Sequence, residues 1–200
     1  MTKSADTTKG RILQAAYELF YRKGFARVSV DLIAAKAGVT KRTLYYHFKS
    51  KDHLLTDVVH FHHELALTRI QRWGNKLADE LHPMLDSLFS QLADWAAKPR
   101  WAGTGFTRIV MELADLPGHP ARAIASRHKT AVERWLASEF AARKIASPDQ
   151  CARHVALLIE GCTTLMLIHG DRHYAKAAAE AAKMLVARPR KGRVPISLGY

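Results

Sequence analysis

Residues 28–51 read Val28-Ser-Val-Asp-Leu-Ile-Ala-Ala-Lys-Ala-Gly-Val-Thr-Lys-Arg-Thr-Leu-Tyr-Tyr-His-Phe-Lys-Ser-Lys51. Ser29 is a residue type that caps helix starts, and Leu32, Ile33 and Ala35 follow it in a short apolar helix. That helix stops at Gly38, where a left-handed turn costs glycine nothing. Thr40 caps a second short helix that runs through Leu44 to about His47. Two such helices can cross closely only if a small residue lets them approach and an apolar residue on the second seals the contact. Ala34, Gly38 and Leu44 meet those demands, which predicts a helix-turn-helix at about residues 29–47. The outer face of its second helix offers Thr40, Lys41, Arg42, Thr43, Tyr45, Tyr46 and His47 within eight residues. Each of these can donate a hydrogen bond to a phosphate or a base edge. The competing use of Tyr45 and Tyr46 is to pack a small core with their hydroxyls at the surface.

Working outward, Thr7 or Thr8 caps a first helix in which Ile12, Ala16, Leu19 and Phe20 recur at helical spacing, and Gly24 supplies a stop. Ser50 caps the helix that follows the motif, with Asp52 near its positive end and Leu54, Leu55, Val58 and Phe61 on its buried side. Further helices are expected near 51–73, 83–97, 101–116, 120–144, 149–169 and 172–187. Pro83, Pro120 and Pro148 fall at or just before helix starts, where a missing N–H costs little. Leu116-Pro-Gly-His-Pro120 reads as a tight connection. The fold class is therefore all-α, with no convincing strand and no internal repeat. The expected division is a helix-turn-helix domain at 1–50, a helical domain at 51–187 and a basic tail at 188–200.

The charge follows that division. The chain has 200 residues, 31 basic and 18 acidic, for a formal charge of +13. Residues 1–51 hold 11 basic and 3 acidic side chains, and residues 188–200 hold 4 basic and no acidic ones, so the middle is close to neutral. A basic unit joined to a neutral body is the footprint of nucleic-acid binding, because neutralising phosphates releases condensed counterions. An apolar fraction of 48% excludes disorder as the dominant state. No run approaches 18 consecutive apolar residues and residues 1–10 lack the apolar core of a secretory signal, so a cytoplasmic location without a membrane span is expected. Cys151 and Cys162 lie eleven residues apart on one expected helix, about 16 Å in rise, so they cannot bridge.

Three stretches resemble the DNA-binding domain of TetR-family transcriptional regulators. They are Gly10-Arg-Ile-Leu-Gln-Ala-Ala-Tyr-Glu-Leu-Phe-Tyr-Arg-Lys-Gly-Phe25, Val28 to Thr40, and Lys41 to Lys51, and together they cover roughly residues 8–60. The resemblance implies an all-helical homodimer whose three N-terminal helices bind operator DNA, with a divergent C-terminal bundle that binds a small effector. It places Thr40, Lys41, Arg42, Thr43, Tyr45 and His47 at operator-contacting positions and Lys51 on a phosphate. Ser29 and Tyr46 complete the candidate interface. Position 42 is often small in that family, and Arg42 departs from it, which suggests an added guanine or phosphate contact.

The body has no comparable motif. His60, His63 and Glu64 share a helix face at metal-ligand spacing, although a solvated polar face is the default reading, and no metal or other cofactor is assigned. His169 and His173 flank Gly170 and read as a turn. Cys151 with His154 is the one nucleophile candidate, against the common role of cysteine as a core residue. Trp95, Trp101, Phe106, Met111, Trp135, Cys162 and Met166 serve either as core or as the lining of a ligand cavity between bundle helices. Trp95, Phe106, Met111, His128, Cys162 and Met166 are the expected effector-binding set, with Glu112 and Thr163 as further polar candidates. Helix 149–169 is apolar nearly all round and helix 172–187 is rich in alanine, so pairing both with their two-fold mates would form a homodimer. Three functions fit: a repressor released by an apolar effector, a regulator of the same fold controlled by a protein partner, and a bundle enzyme. The last is disfavoured because the body offers no clustered carboxylates, no phosphate-cradling glycine loop and no Ser-His-Asp spacing.

Overall fold

Side-chain caps set where the first four helices begin. Thr7 Oγ1 accepts from the Gly10 N–H at 3.1 Å and opens α1 (Thr8–Lys23). Ser29 Oγ accepts from Leu32 at 3.2 Å ahead of α2 (Val30–Ala37), and Thr40 Oγ1 accepts from Thr43 at 3.1 Å ahead of α3 (Lys41–His47). Ser50 Oγ accepts from His53 at 3.0 Å at the head of α4 (Lys51–Asn75). Gly38 turns between α2 and α3 in the left-handed region at φ 65°, and its N–H closes on the last carbonyls of α2. The computed structural model describes residues 7–75 and 80–187, so the basic segment 188–200 lies outside the described residues.

Five further helices complete the described chain: α5 (Leu81–Ala96), α6 (Gly105–Glu112), α7 (Pro120–Ala142), α8 (Pro148–His169) and α9 (His173–Val186). Pro120 and Pro148 are the first residues of their helices and Pro83 lies in the first turn of α5. Gly170, left-handed at φ 66°, ends α8, so His169 and His173 do flank a turn. No strand occurs among the described residues.

One helix is shorter than its periodicity predicts. The expected span of 101–116 is helical only over Gly105–Glu112. Ahead of it, the Tyr21 hydroxyl accepts from the Ala102 N–H at 3.1 Å and donates to the Gly103 carbonyl at 3.0 Å, so tertiary bonds take the groups a helix would have used. At the other end the Arg122 guanidinium donates to the Leu113 and Ala114 carbonyls at 3.3 and 3.1 Å, closing off the last turn.

The buried side chains form two clusters. The first joins Phe20, Ile33, Leu44 and Phe48 to Leu54, Leu55, Val58 and Val59 of α4, and it reaches Ile109 and Leu113 at α6 and Ile124 of α7. The second is built from α5, α7, α8 and α9, around Leu88, Phe89, Leu136, Phe140 and Val155, with Trp73 of α4 packed on it. The first half of α4 therefore belongs to the first cluster, with the helices before it, α6 and the start of α7, and its second half packs on the second.

α8 is the one helix among the described residues that is long and apolar enough to cross a membrane, although its unbroken apolar runs are short, Val155–Ile159 and Leu165–Ile168. Alanine, glycine and threonine dilute its few charges. Its inner side is packed against α7 and α9, while Leu157 and Ile168 remain 65% and 66% exposed.

Candidate nucleic-acid interface and ligand cavity

α3 is anchored by one side chain. Leu44 is fully buried, and the positions around it face outward: Thr40, Lys41 and Arg42 are exposed, with Tyr45 46% and Tyr46 85% exposed. Tyr46 therefore does not pack in a core, and its ring meets His47 edge-on at 5.2 Å. Several hydrogen-bonding groups on this face are held internally. Thr40 Oγ1 and Thr43 Oγ1 lie 2.9 Å apart, and Lys41 Nζ lies 3.1 Å from Asp31 Oδ2 on α2. Asp31 was not among the residues singled out from sequence; its spacing of ten from Lys41 gives no signal until the turn at Gly38 folds α3 back on α2. Arg42 has no ion-pair partner among the described residues, so its guanidinium is free for a base or phosphate. The Ser29 oxygen serves as a cap, which leaves its proton able to donate outward.

Lys51 lies at the first turn of α4 with its ammonium 4.3 Å from the centre of the Phe25 ring. Desolvation lowers its pKa, opposed by Asp52 and Glu112. A phosphate at this position would meet a partly dehydrated cation beside the N–H groups of a helix start, both of which favour an anion.

A cavity of about 390 Å³ is lined by residues of α1, α4, α6, α7 and α8, with Leu92 and Trp95 of α5. Of the expected effector-binding residues, Trp95, Phe106 and His128 line it. Met111 does not, because it points away from the bundle and is 70% exposed. Cys162 and Met166 are buried in the second core and do not line the cavity. Trp135 and Thr163 are likewise core residues, the Thr163 hydroxyl donating to the Ile159 carbonyl at 2.8 Å. Trp101 meets Trp95 edge-on at 5.7 Å outside the lining.

The walls missed from sequence come from α1 and α4. Tyr17 and Tyr21 lie one turn apart on α1, and Val58, His62, Arg69 and Trp73 recur along α4 at helical spacing. The α4 stripe is visible in the sequence, but His62 looks like part of a solvated face until Tyr17 stacks on it, and Arg69 does stay exposed. Two ring pairs line this space. Tyr17 stacks on His62 with centroids 3.4 Å apart, and Phe106 stacks on His128 at 4.0 Å. Burial holds both imidazoles neutral: His62 falls to about 4, helped by Arg69, and His128 to about 3, helped by Lys129 and His63. His63 Nδ1 lies 3.1 Å from His128 Nδ1, so one ring donates to the other and His63 is engaged across the α4–α7 contact. His60 is exposed, and no cluster of three or more His, Cys, Asp or Glu forms around it among the described residues. Cys151 has carbonyls for neighbours, those of Ala146 and Leu185, and burial raises its thiol pKa; Cys162 is pushed up to about 12. Neither thiol is poised as a nucleophile.

Three contacts tie the cavity wall to the motif. The Tyr21 hydroxyl holds residues 102 and 103, the Arg108 guanidinium donates to the Tyr21 carbonyl at 3.0 Å, and Glu112 Oε2 accepts from the Ala26 N–H at 3.0 Å. α6 is thus fastened to the end of α1 and to the loop that leads into α2.

Comparison with known proteins bears on both parts. Residues 12–58 match the family of bacterial regulatory proteins described as the tetR family. The HTH-type transcriptional regulator TtgR of Pseudomonas putida is 37% identical over 85 residues, which are 41% of this chain and 38% of that protein's length. The chain thus spans well under half of the curated relatives it matches. Among solved structures, reduced NemR of Escherichia coli is similar over 92% of this chain and 98% of its own, with a TM-score of 0.81 at 17% identity. Multidrug binding protein EbrR, complexed with ethidium, covers 90% of this chain and 99% of its own with a TM-score of 0.70 at 23% identity. At those identities the solved structures establish the shared fold, and the match at residues 12–58 places the helix-turn-helix within it: residues 12–58 are a DNA-binding domain of the kind found in the tetR family of bacterial regulatory proteins.

Proposed function

We propose that the protein is a homodimeric transcriptional repressor that binds a palindromic operator through α3 and leaves it when a small molecule enters the cavity. The observation that carries this reading is the shared wall. Tyr17, Tyr21, Val58 and His62 belong to α1 and α4, the helices that flank the motif, so a ligand that fills the cavity presses on the elements that position α3. That EbrR, which shares this fold, is a multidrug binding protein complexed with ethidium supports a small-molecule ligand for this chain. Thr40, Arg42, Thr43, Tyr45 and His47 read bases, while Ser29, Lys41, Tyr46 and Lys51 hold the backbone in register.

The dimer reading rests on the outward face of the last two helices. Leu157, Gly161, Thr164 and Ile168 line up along the exposed side of α8, and Met184 of α9 is 77% exposed. A side chain added at Gly161 would meet nothing within 4 Å, so a second helix can approach closely there. A two-fold axis through this face gives two α3 helices and hence an inverted-repeat site, with half-site centres about 34 Å apart.

Selection of bound sequences from a random DNA pool tests the first half of the proposal and should return a consensus with a dyad. Displacement of that DNA by a broad panel of small molecules tests the second. If DNA binds with a dyad and no compound displaces it, control by a protein partner replaces ligand release.

A further inference from the structure

The cavity has a charge balance that none of its apolar residues explains. Four cations line it, Arg69, Arg108, Lys129 and Arg153, against two carboxylates, Glu133 and Glu160. Lys129 is bound to Glu160, Arg153 lies 3.9 Å from Glu133, and Arg108 lies 3.7 Å from Glu112 just beyond the wall. Only Arg69 lacks a hydrogen bond or ion pair among the described residues, and its charge acts on Tyr17, Tyr21 and His62. Beside it the polar atoms are unmet as well. The Tyr17 hydroxyl has no partner among the described residues, and His62 Nε2 is buried without one. Tyr17 is held in its neutral form by burial, so it is a donor with nothing to donate to.

Flat rings line the cavity. Tyr17 over His62 forms one stacked pair and Phe106 over His128 the other, and both imidazoles are neutral, so neither adds a competing cation. Stacked and edge-on surfaces of this kind favour a planar π-system over a flexible alkyl chain. An unpaired guanidinium beside an unpaired hydroxyl favours a carboxylate or similar anion, since charge-assisted bonds from Arg are about twice as strong as neutral ones.

We propose that the cavity takes a planar aromatic compound bearing one negative charge, with its ring among Tyr17, His62, Phe106 and His128 and its anionic group on Arg69 and the Tyr17 hydroxyl. This rests on the ligand-release reading and narrows it, because the anion neutralises the one cation the fold leaves unmatched.

The test is calorimetric titration of the full chain with three matched probes: 2-naphthoate, 2-naphthamide and 2-naphthylmethylamine. The acid should bind at least about tenfold more tightly than the amide, and the amine more weakly still. Arg69→Gln should abolish the preference for the acid while Arg69→Lys keeps part of it, and Tyr17→Phe should weaken the acid more than the amide. Because Arg69 is exposed and carries no structural bond, these variants should melt at the wild-type temperature. Equal or tighter binding of amide or amine, or a preference for the acid that survives Arg69→Gln, overturns the anion assignment and leaves ligand release standing. If none of the three binds, the assignment falls. The displacement panel on selected DNA then decides separately whether ligand release falls too.

Discussion

Glu112 should be the residue whose removal most cleanly separates ligand binding from DNA release. Its Oε2 accepts from the Ala26 N–H at 3.0 Å, and its Oε1 lies 3.7 Å from the Arg108 guanidinium, so one carboxylate joins the end of α6 to the loop between α1 and α2. A hydrogen bond to a charged acceptor contributes about 1.5–3 kcal/mol, and this one, partly open to water, is discounted to about 1 kcal/mol. Glu112→Ala should therefore lower the melting temperature by about 2–4 °C in a chain of this size. Its larger effect should be on coupling. Ligand and DNA sites are coupled by about 1–3 kcal/mol in typical allosteric proteins, so losing most of one tether should cut ligand-driven DNA release by about fivefold. Ligand affinity in the absence of DNA should stay within about twofold, since Glu112 does not line the cavity. Gly24→Ala attacks the same contact from the other side. Gly24 has φ 87°, and a Cβ there would lie 2.8 Å from Glu112 Oε1, so this variant should be less stable than Glu112→Ala and equally uncoupled. Fluorescence anisotropy of labelled DNA, with and without ligand, measures the release; thermal melts measure the stability. Wild-type release from both variants would refute the argument that α6 transmits the signal through this carboxylate.

Lys51→Ala should weaken all DNA sequences alike and reduce the salt dependence of binding by about one contact per subunit, whereas Arg42→Ala and Thr43→Ala should change which base substitutions are tolerated, by about 1–3 kcal/mol at the affected position. Anisotropy titrations across salt and operator variants check both. Ile168→Glu, at a side chain 66% exposed in the single chain, should leave the monomer folded, dissociate the dimer in sedimentation and weaken DNA binding with it; tight operator binding by a proven monomer would contradict this. The His62 and His128 pKa values are depressed to about 4 and about 3, so the unfolded chain binds protons below pH 6.5 that the folded chain does not, and stability should fall as pH drops from about 6.5 towards 4. At pH 5 the loss is about 2 kcal/mol per ring, measurable by urea unfolding, and His128→Phe should remove its share of the slope.

The motif was legible because its signals are local. Thr7, Ser29, Thr40 and Ser50 all cap the helices that their positions announced, and Gly24 and Gly38 end theirs. Local signals failed where a distant group decides the outcome. The periodicity of 101–116 is helical, yet the Tyr21 hydroxyl reaches across 81 positions to take the backbone of residues 102 and 103. The cavity was half legible for a similar reason. Residue type marks Trp95, Phe106, Cys162 and Met166 alike as apolar, but which flank of a helix meets empty space depends on its neighbours. Cys162 and Met166 face the second core, and Met111 faces solvent. Tyr17 and Tyr21 escaped notice because a helix that packs the motif on one side was not expected to wall a ligand site on another.

The 25 residues of α4 run unbroken through both cores. At 1.5 Å per residue the helix is about 37 Å long, and a rod of that length has a mechanical property that its packing alone does not convey. Pivoting about its Trp73 end by only about 5° would carry its Lys51 end sideways by about 3 Å, roughly the full length of a hydrogen bond. The packing around the cavity need therefore yield by only a few tenths of an ångström near the fulcrum for a phosphate contact at the tip to break. A small, stiff displacement is geared up into a large one, and occupancy of a cavity can be reported at a distance.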